Sequence, residues 1–175
     1  MLDHYNRNIN YLRISVTDRC NLRCKYCMPE EGVKLFKHQD IISFEEIVNV
    51  VKTGVAFGIN KVRITGGEPL VRKNIVRLVA MLSEIDGIKD LSMTSNAVLL
   101  EKFAQSLKNA GLMRINISLD TLNPEKYKQL TRGGNIEDVL KGIEAAKNAG
   151  LTPIKLNCVV HQSSFEEDAQ MVKEY

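Results

Sequence analysis

Tryptophan is absent from the 175 residues of this chain, and cysteine, proline and histidine are scarce, with four, four and three residues. No apolar run approaches the roughly 20 residues that a membrane-spanning helix needs. Residues 1–8 also lack an apolar stretch of the kind that forms a secretory signal. We therefore expect a cytoplasmic protein with no membrane partner, in a reducing compartment where disulfides are rare.

A strong charge of either sign is missing as well. Lys and Arg number 24 and Asp and Glu number 21, which leaves a net charge of +3. Because this excess is small and no basic run stands out, nucleic acid is not expected as a partner. An anionic ligand would have to be bound by a few well-placed cations. The apolar share of 44% is enough for one hydrophobic core, so we expect a single domain over residues 1–175.

Three of the four cysteines lie close together, at Cys20, Cys24 and Cys27. They follow a predicted strand, which places them on a loop at the end of that strand. Three thiolates suit a 4Fe-4S cluster in which one iron lacks a protein ligand, because such clusters normally take four cysteines. A structural zinc site would need a fourth ligand, and the next histidine along the chain is His38. Zinc and a disulfide remain the alternative interpretations.

Short β-rich runs alternate with longer stretches of helical period along the whole chain. The predicted strands are Tyr11–Val16, Lys61–Thr65, Ile88–Thr94, Met113–Leu119 and Thr152–Val160. The predicted helices begin after Ser43, at Ile75, near Leu99, at Pro124, at Ile136 and at Ser164. Strands alternating with helices of this length predict right-handed crossovers and a parallel sheet, in either an open α/β layer or a barrel.

Each predicted strand alternates apolar with polar residues, whereas a parallel strand covered on both faces should be apolar throughout. In the second strand, for example, Arg63 lies between Val62 and Ile64. Burying Arg13, Arg63 and Lys155 without partners would cost several kcal/mol each. The polar face should therefore line a wet or charged cavity in a curved, partly open barrel. A half-solvated antiparallel sheet is the alternative, although the helical stretches between the strands argue against it.

Three segments together resemble a known family. They are Asp18-Arg-Cys-Asn-Leu-Arg-Cys-Lys-Tyr-Cys-Met-Pro29, Arg63-Ile-Thr-Gly-Gly-Glu-Pro-Leu70 and Arg114-Ile-Asn-Ile-Ser-Leu-Asp120. The chain is similar over nearly its whole length to the radical S-adenosylmethionine (radical SAM) superfamily, and within it to the branch that cyclises GTP in molybdenum cofactor biosynthesis. The resemblance implies an α/β fold, a partial (β/α) barrel of the radical SAM type with five βα units visible.

The resemblance also implies a role for particular residues. Cys20, Cys24 and Cys27 would hold a 4Fe-4S cluster. The positions that match SAM-binding residues are Tyr26, Gly66, Gly67, Glu68 and Ser118. The positions that match GTP-binding residues are Arg13, Arg63, Thr94 and Lys155. An external electron donor would reduce the cluster, and the radical chemistry requires no catalytic acid or base from the protein. A homodimer is left open.

Members of that branch are much longer than this chain and carry a second cysteine triplet, for a second 4Fe-4S cluster, that these residues lack. We therefore expect residues 1–175 to be an incomplete radical SAM core domain. The branch usually has Asn-Gly where this chain has Asn96-Ala97, so the turn geometry there is in question. Two other functions stay open: another radical SAM enzyme, such as one that modifies peptides, and a non-catalytic module that binds a cluster or zinc.

Overall fold

A computed structural model describes residues 2–160 and 165–175 of the chain. Five strands form one sheet in the order β1-β2-β3-β4-β5, and every neighbouring pair is parallel. The strands are β1 Tyr11–Ser15, β2 Lys61–Thr65, β3 Asp90–Ser95, β4 Arg114–Ser118 and β5 Ile154–Asn157. The predicted parallel α/β fold is confirmed, and the antiparallel alternative is wrong.

Six α-helices among the described residues alternate with the strands. They are α1 Phe44–Ala56, α2 Ile75–Ser83, α3 Leu100–Asn109, α4 Pro124–Thr131, α5 Ile136–Asn148 and α6 Phe165–Glu174. The capping box that predicts the start of α1 is formed, because Ser43 accepts from the Glu46 amide and Glu46 accepts in return from the Ser43 amide. The predicted helix start at Ser164 lies outside the described residues.

The helices pack on one face of the sheet and bury its apolar side chains. Ile64, Met93 and Ile117 are fully buried there, and they belong to the same core cluster as Ile47 of α1 and Leu78 of α2. No helix within the described part of the chain is both long and apolar enough to cross a membrane.

The opposite face of the sheet carries the polar residues in two adjacent rows. Arg13 pairs in register with Arg63, Arg63 with Ser92, and Ser92 with Arg114. Two residues further toward the carboxyl ends, Thr94 pairs with Asn116, and Asn116 with Lys155. We call the residues of these two rows the polar face. Because the side-chain period of a strand is two, all of these side chains project to the same side.

The last helix is tied to the loop after β4 by a buried carboxylate. Asp168 of α6 is fully buried, and it accepts hydrogen bonds from the Thr121 hydroxyl at 2.7 Å and from the Lys126 ammonium at 2.8 Å. Burial alone would raise the pKa of Asp168, but these two partners lower it overall. The carboxyl edge of the sheet is thereby held in place from the helix side.

Candidate functional site

The three clustered cysteines lie on the loop that follows β1, at the carboxyl edge of the sheet. The amide of Cys27 donates to the Cys24 carbonyl at 2.9 Å, and the amide of Met28 donates to the same oxygen at 3.0 Å. This turn places Cys24 and Cys27 on one short piece of backbone. We call residues 17–29 the cysteine loop.

The end of α4 holds the outer side of the cysteine loop. The Arg23 and Lys25 amides donate to the last carbonyls of that helix, at 3.1 and 2.9 Å. Arg132, which follows the helix in a left-handed conformation, donates at 2.8 Å to the carbonyls of both Arg23 and Met28. One guanidinium therefore spans the loop on either side of Cys24 and Cys27.

The thiols themselves are half-buried at Cys20 and Cys24 and exposed at Cys27. Burial raises the pKa of all three, to about 11 for Cys24, where the neighbouring thiols add to the effect. The Cys20 sulfur accepts from the Leu22 amide at 3.4 Å and from the Asn96 side chain at 3.7 Å. Within residues 2–160 and 165–175, no three His, Cys, Asp or Glu side chains are arranged to hold a single metal ion. A cubane cluster differs from such a site because it contains several irons for its thiolates to bind.

The Gly66-Gly67-Glu68 segment after β2 packs directly against the start of the cysteine loop. The Gly67 amide donates to the Thr17 carbonyl at 2.6 Å, and the Glu68 amide donates to the Arg19 carbonyl at 2.7 Å. A Cβ on Gly66 would lie 2.6 Å from the Thr17 carbonyl oxygen, and one on Gly67 would collide with the Arg19 carbonyl. Both glycines are therefore required by the close approach of the two backbones.

Glu68 is only 1% exposed, and both of its carboxylate oxygens are hydrogen-bonded within the chain. It accepts from the Leu70 amide at 3.0 Å, from the Ser95 hydroxyl at 2.8 Å and from the Asn96 amide at 2.7 Å. Burial raises the pKa of Glu68, while these neutral donors oppose the rise. Its carboxylate thus joins the loop after β2 to the end of β3.

Tyr26 connects the cysteine loop to the loop that follows β4. Its hydroxyl donates to Asp120 at 2.5 Å, and the second carboxylate oxygen of Asp120 accepts from the Val159 amide at 2.9 Å. Burial and the hydrogen bond to Asp120 both raise the pKa of Tyr26. Ser118, the last residue of β4, is half-buried and pairs in register with Asn157 of β5. The loops after β1, β4 and β5 therefore meet at one edge.

Next to this edge lies the polar face. Arg63 is half-buried, with its guanidinium 5.3 Å from the centre of the Tyr11 ring and 3.5 Å from the Ser92 hydroxyl. Arg13, its neighbour in register, is exposed, as is Lys155 on β5. The alternation pattern is confirmed in placing the three cations on one side of the sheet.

Three buried polar atoms on or beside this face have no hydrogen-bond partner among the described residues. They are the Thr94 hydroxyl, the Asn116 side-chain nitrogen and one terminal nitrogen of Arg114. Asn116 is only 1% exposed, and Arg114 uses its other nitrogens on Asp90, at 2.9 and 2.5 Å. Buried polar groups are normally satisfied by protein, water or a ligand, so these three atoms leave hydrogen-bonding capacity that a molecule bound on the polar face could use.

Comparisons with known proteins agree with this geometry. The family model of the radical SAM superfamily matches residues 14–175. The chain belongs to the radical SAM superfamily. In a solved structure, that of Streptococcus suis SuiB bound to S-adenosylmethionine, 35% of that chain superimposes on 94% of this one with a TM-score of 0.74 and 21% identity. That likeness shows the shared fold, a partial barrel.

Two relatives are much closer in sequence, and both are named GTP 3′,8-cyclase. The protein of Alkaliphilus oremlandii is 57% identical over 159 residues, which cover 91% of this chain and 50% of the relative. The protein of Thermodesulfovibrio yellowstonii is 56% identical over 171 residues, covering 97% of this chain and 53% of the relative. The chain thus spans about half the length of the relatives that it matches.

The residues present fit the cluster and the SAM that the radical SAM family implies. Three thiols share one loop, and the Cys20 sulfur already accepts from two N–H donors. The neighbouring segment begins with Gly66 and Gly67, which have no side chains to block a ligand. N–H groups directed at a sulfur stabilise the thiolate form that binds iron.

Sequence reasoning missed Asn96, Asp120 and Arg132 as residues that hold the candidate site together. Asp120 and Tyr26 are 94 residues apart, and Arg132 and Arg23 are 109 apart. The only available signal was position: Asn96 and Asp120 both stand at the carboxyl end of a strand, where such sites gather. Arg132 had no signal of this kind, because it belongs to the end of a helix.

Proposed function

We propose that these residues form the cluster-binding and SAM-binding part of a GTP 3′,8-cyclase of molybdenum cofactor biosynthesis. The observation that carries the proposal is the adjacency of two features: a three-thiol loop hydrogen-bonded to the Gly66-Gly67-Glu68 segment, and a polar face with three cations and unpaired buried donors. The names of the relatives support GTP as the substrate.

In this proposal Cys20, Cys24 and Cys27 hold a 4Fe-4S cluster. Tyr26, Gly66, Gly67 and Ser118 would contact SAM. Glu68 would act on SAM through the loop that it holds, since both of its oxygens already accept hydrogen bonds from the chain.

Arg13, Arg63, Thr94 and Lys155 would bind GTP. The cations suit a triphosphate, because charge-assisted hydrogen bonds to phosphate are stronger than neutral ones. Arg63 is oriented in advance by Tyr11 and Ser92, so less side-chain freedom is lost on binding.

When bound and reduced, the cluster and SAM supply a 5′-deoxyadenosyl radical, the species that would take the ribose 3′ hydrogen of GTP and lead to (8S)-3′,8-cyclo-7,8-dihydroguanosine 5′-triphosphate. In this proposal the chain would hold the triphosphate on the polar face, beside the carboxyl edge that carries the cysteine loop. No acid or base from the protein is needed. An external electron donor and a cytoplasmic location belong to the same proposal.

These 175 residues span about half of the relatives, so their proposed activity is narrower than that of a whole enzyme. We expect them to cleave SAM and to cyclise GTP poorly. The test is anaerobic reconstitution with iron and sulfide, followed by dithionite, SAM and GTP, with assays of 5′-deoxyadenosine and of the cyclised nucleotide. Efficient cyclisation by these residues alone would contradict the narrower form of the proposal.

Three variants complete the experiment. Cys24→Ala should abolish the cluster absorbance, whereas Cys158→Ala, the matched control at the fourth cysteine, should retain it. Arg63→Ala should weaken GTP binding, while a radical SAM enzyme that acts on a peptide would not depend on this cation. Zinc in place of iron in anaerobically purified protein, with no SAM binding, would favour a non-catalytic module.

A further inference from the structure

We propose that Asn96 is a positioning residue for the cluster, whose side-chain amide donates to the Cys20 sulfur and raises the reduction potential of the cluster. The inference rests on the proposed function, because it assigns Cys20 as a cluster ligand. It concerns a residue for which the family resemblance implies no role.

The contact joins two distant parts of the chain. Asn96 follows β3, and its side-chain nitrogen lies 3.7 Å from the Cys20 sulfur, 76 residues away in sequence. The same nitrogen lies 2.9 Å from the side-chain oxygen of Asn21. An amide nitrogen carries two hydrogens, so it can serve the sulfur and the Asn21 oxygen together.

The orientation of the Asn96 amide is set by its other end. Its side-chain oxygen accepts from the Val98 amide at 3.1 Å, which leaves the nitrogen to point toward the sulfur. A flipped amide would place a donor against the Val98 amide and an oxygen against the Asn21 oxygen, and both contacts would be unfavourable.

The backbone of Asn96 is held as firmly as its side chain. Its amide donates to the buried Glu68 carboxylate at 2.7 Å, and the Ser95 hydroxyl accepts from the Ala97 amide at 2.9 Å. Ala97 itself adopts a φ of 62° and is fully buried. The Asn96-Ala97 turn, with alanine where the related branch usually has glycine, therefore keeps a defined geometry that aims the amide at Cys20.

An N–H donor changes the energetics of a bound cluster in a known direction. Reduction adds negative charge that is shared with the cysteine sulfurs, and a donor stabilises the reduced form more than the oxidised form. The Leu22 amide already donates to Cys20 at 3.4 Å, and Asn96 adds a side-chain donor that depends on the fold of β3. Removing it should make the cluster harder to reduce.

The test is a potentiometric titration of the reconstituted 175-residue protein without SAM, followed by electron paramagnetic resonance of the reduced cluster. Asn96→Leu removes the donor with a side chain of similar size, and Asn96→Asp removes it while keeping the oxygen that accepts from Val98. Both should shift the midpoint potential to more negative values, with the larger shift for the charged Asp. Because Asp is expected to preserve the turn, it keeps the test decisive if the Leu variant does not fold.

Asn109→Asp is the matched control. It makes the same amide-to-carboxylate substitution at an exposed asparagine of α3, whose side-chain oxygen accepts from the Gln105 side chain. We expect the wild-type potential in this variant. An equal shift in Asn109→Asp, or no shift in a folded Asn96 variant, would overturn the inference.

The proposed function and the inference fail in different ways. A wild-type protein that assembles a cluster and cleaves SAM, but whose Asn96 variants keep its potential, refutes the inference alone. A shifted potential in a protein that never cleaves SAM refutes the proposed function and supports the inference. A wild-type protein that assembles no 4Fe-4S cluster refutes both.

Discussion

The cysteine loop and the polar face lie side by side, but their polar groups differ in how far they are hydrogen-bonded within the chain. Around the loop, Glu68, Asn96 and Arg132 each make at least two hydrogen bonds within the chain. On the polar face, buried donors of Asn116 and Thr94 have no partner among the described residues. These three bridging residues of the proposed cluster site are therefore satisfied within the chain, whereas Asn116 and Thr94 of the polar face keep hydrogen-bonding capacity that a ligand could use.

The largest effect on stability should come from removing Glu68, the most buried of the groups that hold the cysteine loop. Glu68→Ala leaves three donors, from Leu70, Ser95 and Asn96, without their acceptor. An unsatisfied buried donor costs about 1–3 kcal/mol, so we expect the free energy of unfolding to fall by ~3 kcal/mol. Urea denaturation measures this change.

Glu45→Ala is the control for that substitution. Glu45 pairs with Arg77 on the surface, where both side chains are mostly exposed, and such pairs contribute about 0–1 kcal/mol. If the Glu68 variant were no less stable than the Glu45 variant, the cysteine loop would not depend on this carboxylate.

Much of the fold could be predicted because local sequence patterns define each helix and strand. The bounds of β2 at Lys61–Thr65 and the start of α2 at Ile75 are confirmed, since apolar periodicity and flanking turn residues define them within a few positions. The fifth strand is shorter than predicted, at Ile154–Asn157. Pro153 has no amide hydrogen to donate, and the Val159 amide is used by Asp120, so neither end can extend the ladder.

The site was predictable only in part, for a related reason. Motifs at Cys20, Cys24, Cys27 and Gly66-Gly67 are contiguous in sequence and could be recognised. The side-chain contacts that join these segments connect residues 27 to 109 positions apart, as between Glu68 and Ser95 or Arg132 and Arg23, and no local pattern encodes such pairs. The assigned roles of the SAM-binding and GTP-binding residues stay predictions.

A second substitution removes the contacts that hold the outer side of the cysteine loop. Arg132→Met keeps the length of the side chain but removes its hydrogen bonds to the Arg23 and Met28 carbonyls. Hydrogen bonds to a charged group contribute about 1.5–3 kcal/mol, and we expect a loss of ~2 kcal/mol in unfolding free energy. Hydrogen exchange should show faster exchange at the Cys27 and Met28 amides. Arg77→Met, at an exposed guanidinium on α2, is the matched control and should leave these amides unchanged.

The third substitution should stabilise the protein, because it concerns an unsatisfied buried group of the polar face. Asn116→Leu replaces a buried amide whose nitrogen lacks a partner with an apolar side chain of similar size. Without ligand, the variant should be more stable by ~1 kcal/mol, since the cost of the unsatisfied donor is removed. With ligand, GTP binding should weaken about 5- to 10-fold, a change of roughly 1–1.4 kcal/mol.

Thermal denaturation and calorimetric titration with GTP measure the two halves of that prediction. Asn49→Leu, on the exposed side of α1, is the control and should change neither quantity appreciably. A less stable Asn116 variant would mean that the amide is satisfied in solution, and the contrast between the two regions would then disappear.

The smallest effect is expected at Ala97, where strain and packing nearly cancel. Alanine at a φ of 62° costs about 1–2 kcal/mol, which glycine would avoid. Ala97→Gly also removes a fully buried methyl group, worth ~0.8 kcal/mol, and increases the freedom of the unfolded chain by about 0.4–1 kcal/mol. The free energy of unfolding should therefore change by less than ~0.5 kcal/mol, whereas Ala97→Val, which places a β-branched residue at positive φ, should destabilise by at least ~2 kcal/mol. An increase in unfolding free energy well above 1 kcal/mol for the glycine variant would contradict this prediction. It would show that backbone strain at Ala97 outweighs packing, so that the contacts around the cysteine loop offset a local strain.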